Sequence, residues 1–365
     1  MTLGVSYSIH QQPVVLGDLL LSGDEREHDV FVPSVGNVEE VFCKGSGYSI
    51  TGMTQKVIVI SKDMAITWAG NEVAARLAIA ELRALAAKGL DPDRVQALLD
   101  GLPAVLMTLD LELTGWYVYE NCGYPIEFRS SEGHSCDCDH LRLVGNGAPL
   151  FQALLDGHQW VTGANRGMDA EGGKCLSTTC AFAGMLLELE LKKSPTSLLN
   201  FFGGGYEVAL FDEGSFRKLD DVTHVYWNVQ VSEKGVGITQ PFHIRKQFYR
   251  DANLMIMPVR FVRDGAKTGI VHQELYVVQE PGGTLKREDV SVDDLPSLNS
   301  RHTCHYFIQG EAAQVFTRVQ YRERPEDNDL TIKETATGLQ LKIRKRFFNE
   351  IGAILQSDPR WHPQT

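Results

Sequence analysis

Strand-like and helix-like stretches do not alternate along this chain; each kind arrives in pairs. Residues 3–9 partly alternate apolar and polar, Gln11-Gln-Pro13 turns the chain, and residues 14–18 return. Lys56-Val-Ile-Val-Ile60 and residues 64–69 make a second strand pair around Ser61-Lys-Asp63. An Ala-rich helix follows over 72–88, with Val73, Leu77, Ala80 and Ala84 on one face and Gly89 as its stop. A short helix over 93–99 completes the helix pair. Strands are predicted at 104–109, 116–120, 125–128 and 141–144, helices at 149–155 and 174–192, then strands at 206–211 and 216–219. A parallel sheet needs a crossover between successive strands, usually a helix, and would show strict strand–helix alternation. Paired strands and paired helices instead predict an α+β fold, two mainly antiparallel sheets stacked between helix layers.

The rest of the chain reads differently. Residues 24–54 are polar, with Gly36-Asn37, Gly45 and Gly47, and predict a long loop or inserted hairpin. Residues 229–365 are strand-rich, with β-branched and aromatic alternation at 248–261, 269–279, 303–309, 314–321 and 330–346, and a closing helix at 346–356. The net charge is −12, and the acidic excess lies wholly before residue 229. That shift divides the chain into 1–228 and an accessory α+β region, 229–365. An acidic chain does not favour non-specific nucleic-acid binding. No run of about 18 apolar residues suggests a membrane span, and the first residues lack a signal-peptide pattern. Seven scattered cysteines suggest a reducing compartment, so the expected location is cytoplasmic.

Four segments carry a resemblance. Thr2 opens the first strand, and the apolar run Val14-Val-Leu-Gly ends on Asp18, sixteen positions later. Lys56-Val heads a strand, and Trp68-Ala-Gly70 precedes the long helix, fourteen positions after Lys56. Leu143-Val-Gly-Asn146-Gly147 leads into a helix, and Asn200-Phe-Phe-Gly-Gly-Gly205 leads into a strand. In order and spacing these segments resemble proteasome β subunits and their bacterial relatives, which are N-terminal-nucleophile hydrolases. The resemblance covers residues 2–228. It departs from the family where Asn146 and Gly203 stand for serines and Asn200 for an aspartate, and where residues 24–54 are inserted.

The resemblance implies a four-layer αββα sandwich and a hydrolase of peptide or amide bonds. Thr2 would be the nucleophile after removal of Met1. Its α-amine, with an ordinary pKa of about 7.7–8.0, would be the general base. Lys56 would lower nearby pKa values, Asp18 would orient Lys56, and the Gly70 N–H would stabilise the oxyanion. Asn146 and Asn200 would hydrogen-bond the amine. No cofactor or metal is implied, and a homo-oligomer is expected. Two rivals keep the fold: a small-molecule amidase, and an inactive structural or assembly protein. Three other features read as ordinary. His134-Ser-Cys136-Asp-Cys138-Asp-His140 has ligand types for zinc but lacks Cys-x-x-Cys spacing, so a polar loop is the better reading. Cys43 fits no nucleophile spacing, and Lys342, Arg344, Lys345 and Arg346 read as a solvated face.

Overall fold

His10 and Gln11 both take positive φ, 50° and 64°, which a two-residue hairpin turn requires. They join the strands Gly4–Ile9 and Gln12–Asp18, which pair from Gly4↔Gly17 to Ile9↔Gln12. In this computed structural model the described residues are 2–23, 30–38, 49–106, 109–135, 138–157, 161–162, 170–191, 196–232, 235–264, 267–283, 295–309, 314–335 and 338–361. The fold is mixed α+β, strand-rich, with several antiparallel sheets.

The opening hairpin is the centre of a six-stranded antiparallel sheet. Its order is Ser131–Glu132, Asp139–Val144, Gly4–Ile9, Gln12–Asp18, Tyr206–Asp212 and Ser215–Lys218. A second antiparallel sheet runs Cys122–Phe128, Leu111–Tyr119, Met64–Gly70 and Val57–Ser61. The two sheets bury Val15, Val57, Ala65, Trp116, Ala209 and Phe216 between them. Small residues permit a close approach: a Cβ on Gly17 would lie 2.7 Å from the Thr67 hydroxyl. Along the first strand the period of two is plain. Ser6 faces the second sheet and meets Thr114 Oγ1 at 2.6 Å, while Val5 and Tyr7 face Phe151 and Phe182 on helices Ala148–Gly157 and Ala170–Leu191. The outer face of the second sheet packs Ile58, Ile66 and Trp68 against Ala74, Ala78 and Leu82 of helix Glu72–Ala86.

The helix after it corrects one expectation. Residues 104–106 belong to helix Pro92–Leu106, and the expected strand at 104–109 does not form there; residues 107–108 lie outside the described residues. Val95, Leu99, Leu102 and Leu106 recur at helical spacing and are all buried against the second sheet's cluster. That apolar face outweighs the backbone hydrogen bond lost at Pro103.

An eight-stranded, mostly antiparallel sheet takes most of its strands from Val222 onward and one from Val161–Thr162. It contains Val222–Ser232, Gly235–Arg250, Asn253–Asp264, His302–Gln309 and Gln314–Tyr321, with two parallel seams. Residue 228 therefore falls inside a strand of this sheet. The alternating stretch 248–261 spans a hairpin, which turns at Asp251 and Ala252, both at positive φ. Phe347, Ile351 and Leu355 of helix Lys345–Ser357 cover Trp227, Phe307 and Phe316 on one face. On the other side Tyr226 and Tyr306 pack against Cys180 and the rest of helix Ala170–Leu191. That helix lies between two sheets, which explains why residues 175–188 are buried on every side.

Candidate active site

The hairpin register places Thr2 and Asp18 together. Asp18 is the last residue of its strand, and its backbone N–H donates to Leu3 O at 2.9 Å. Lys56 enters from the second sheet, one residue before strand Val57–Ser61. Its backbone N–H donates to Glu207 Oε2 at 3.1 Å. Glu207 in turn is held by Lys218 Nζ at 2.8 Å and the Tyr249 hydroxyl at 2.7 Å. Glu207 thus ties Lys56 to the six-stranded sheet, which brings a residue 54 positions from Thr2 to its side.

The Lys56 ammonium has three N–H groups, and three oxygens receive them: Thr2 Oγ1, Asp18 Oδ1 at 2.7 Å, and Leu20 O. The Thr2 hydroxyl donates to Asp18 Oδ1 at 2.7 Å. The Leu3 N–H donates to the same oxygen at 3.0 Å. Asp18 Oδ2 accepts from Gly203 N at 2.8 Å and Leu20 N at 3.3 Å. Thr2, Asp18 and Lys56 are each at most 1% exposed. Burial pushes the Lys56 ammonium below its ordinary value, while the charge and hydrogen bond of Asp18, and the charge of Glu207, hold it up. A hydroxyl clasped between a buried cation and a carboxylate can give up its proton at a fixed point in space. No family model matches the chain, and no curated protein matches it.

The other expected site residues are more dispersed. Gly70 ends strand Met64–Gly70 at φ +103°, where a side chain would strike the Asp110 carbonyl. Among the described residues no hydrogen bond joins Gly70 to the Thr2 cluster. Asn146 is exposed, but its two neighbours touch the site: Gly147 N donates to Thr2 O at 2.9 Å, and Gly145 packs flat against that same carbonyl. Asn200 is exposed and caps a turn, its N–H donating to Ser197 O at 3.0 Å. From its motif it is Gly203 that reaches Asp18. Gly203 N–H, Leu20 O and Glu207 are site groups that sequence reasoning passed over. The first two are backbone and carry no side-chain signal. Glu207 does carry one, as a carboxylate within the apolar strand Tyr206–Asp212.

Met1, Cys43, Cys136 and most of the 24–54 insertion lie outside the described residues. In the polar stretch, His134 pairs with Asp156 at 3.2 Å, His140 packs edge-on to Trp116, and Cys138 is buried. Among the described residues no three His, Cys, Asp or Glu are placed to hold a metal. Arg344 and Arg346 lie against the buried Asp329.

Proposed function

We propose that the chain hydrolyses peptide or other amide bonds, with Thr2 as the nucleophile once removal of Met1 frees its α-amine. One observation carries this reading: Thr2 Oγ1, Asp18 Oδ1 and Lys56 Nζ are mutually hydrogen-bonded in a buried cluster drawn from two sheets. The succession of helix pair, sheet, sheet and helix pair supports reading residues 2–228 as the four-layer sandwich of proteasome-like hydrolases. Thr2 Oγ attacks the substrate carbonyl carbon while its proton passes to the α-amine. Lys56, held by Asp18, stabilises the developing charge on Oγ. The Gly70 N–H is assigned to the oxyanion, and Asn146 and Asn200, both exposed, are given no step. Collapse of the tetrahedral intermediate expels the amine with its proton and leaves an ester on Thr2, which water hydrolyses. Self-association through helix Glu72–Ala86 belongs to the same proposal, because Val73 and Leu77 are exposed on it. Light scattering at micromolar concentration tests it, and a monomer would count against it.

One observation favours the rival reading, a non-hydrolytic assembly protein: Thr2 is 1% exposed. A panel of fluorogenic peptides and small amides separates the readings. The wild type should turn over at least one class, with all turnover lost in Thr2→Ala. Peptide turnover favours the peptidase, small-amide turnover alone favours the amidase, and no turnover with Met1 removed favours the assembly protein.

A further inference from the structure

Behind the site, the loop Gly203-Gly204-Gly205 is gripped from two sides. On the site side, Gly203 N donates to Asp18 Oδ2 at 2.8 Å, and Gly203 O accepts the backbone N–H groups of Leu19 and Leu20 at 2.9 and 3.1 Å. On the far side, Glu190 Oε2, from helix Ala170–Leu191, accepts Gly204 N at 3.1 Å. The same oxygen accepts the Ser34 hydroxyl at 2.7 Å, so the insertion is tied to this point as well. Arg245, from strand Gly235–Arg250, points Nη2 at Gly204 O at 3.5 Å. Glu190 and Arg245 are fully buried. A side chain on Gly203 would strike Glu190 Oε1, and one on Gly205 would strike the Arg245 guanidinium. Two successive peptide links that meet at Gly203 therefore have Asp18 on one side and a buried carboxyl on the other: the Gly203 N–H goes to Asp18 and the Gly204 N–H to Glu190.

We propose that Glu190 is a positioning residue for the Thr2 site, acting on Asp18 through the backbone of Gly203 and Gly204 and making the site's geometry depend on pH. The effect on catalysis rests on the hydrolase reading above; the coupling itself does not.

Among the described residues Glu190 Oε1 and the adjacent Tyr206 hydroxyl make no hydrogen bond of good geometry, although the hydroxyl lies close enough to pull on the carboxyl. Oε1 is therefore where a proton can be placed. Burial raises this carboxyl to about 7, against the opposing pull of Ser34, Arg245, Tyr206 and the Gly204 N–H. The groups that face it from neighbouring elements are Arg245, Tyr206, Ser34 and Tyr226; behind them His224 faces Arg245 and His243. Above about pH 7 the carboxylate accepts strongly from Gly204 N–H and holds the loop against Asp18. Below it the neutral carboxyl is a weaker acceptor and the grip loosens.

Glu190→Gln keeps the shape and the acceptor but cannot ionise. The test is an amide nitrogen–proton NMR titration of the whole chain from pH 5 to 9, together with the rate of Thr2 acylation by a threonine-directed epoxyketone. In the wild type the Gly203 and Gly204 resonances should shift with a midpoint near pH 7. In Glu190→Gln that titration should vanish, although His224 and His243 are still present, and the acylation profile should lose one ionisation, leaving that of the α-amine. Titration that persists unchanged in Glu190→Gln, or none in the wild type, overturns the proposal. Titration that vanishes in Glu190→Gln while no variant is acylated upholds the coupling and sinks the nucleophile assignment instead.

Discussion

The Lys56 ammonium sits among three oxygens with no space to spare, and its chemistry follows from that. Lys56→Met removes the charge at similar length and should lower turnover by at least about 100-fold. It also leaves Asp18 buried without its cation, which costs on the order of 3–5 kcal/mol, so rates must be compared per folded molecule. Lys56→Arg keeps the charge but places a planar fork where a compact three-donor head fits, and should be nearly as poor. Equal hydrolysis by Lys56→Met and wild type would remove Lys56 from the mechanism. Thr2→Ala preserves the Lys56–Asp18 pair and should cost only about 1–2 kcal/mol while ending all reaction.

Two glycines in helices separate packing from propensity. Gly352, in helix Lys345–Ser357, has open space where a Cβ would stand, so Gly352→Ala should stabilise by about 0.5–1 kcal/mol. Gly184, in helix Ala170–Leu191, has the Tyr306 ring in that space, so Gly184→Ala should destabilise by about 1–3 kcal/mol despite the better propensity. Urea midpoints of the two variants should move in opposite directions; a rise in both would show that the helix and strand His302–Gln309 do not meet as described. Element order was largely legible in the sequence, but the face of helix Glu72–Ala86 was not: Val73, Leu77, Ala80 and Ala84 are exposed, and Ala74, Ala75, Ala78, Ile79 and Leu82 are buried instead. Strand Val222–Ser232 runs through residue 228, where the charge balance changes, and nothing local marks Val222 as the start of a strand of a different sheet. Past Pro103 the helical spacing of Leu99, Leu102 and Leu106 continues, but no local signal shows what covers them. At the site, the intervals Thr2–Asp18 and Lys56–Gly70 pointed to the three clustered side chains. Nothing local revealed that Gly203, through its backbone, would be the group touching Asp18.

Across the whole molecule, acid should act mainly through the C-terminal sheet. His224 and His305 are buried, and burial first, then Arg245 and His243 for one and Arg318 for the other, holds both down to about 3. Between about 3 and 6.5 the unfolded chain binds two protons that the folded chain refuses, so stability is lost as pH falls through that range, by on the order of 4–5 kcal/mol per histidine. Glu190 works the other way: its raised value means the folded chain holds a proton between about 4.5 and 7, adding roughly 3 kcal/mol as pH falls. The two histidines outweigh it, so the urea midpoint should drop from pH 6.5 to pH 4, and His305→Gln should flatten the drop; an unchanged slope would show that His305 is not held neutral. A free Thr2 amine beside its hydroxyl makes the chain a target for a threonine-directed epoxyketone, and intact mass after exposure reads the outcome. The chain should lack Met1 and gain one reagent mass, mapped to Thr2 and absent in Lys56→Met. A folded chain that lacks Met1 and gains no mass at Thr2 would rule Thr2 out as the nucleophile.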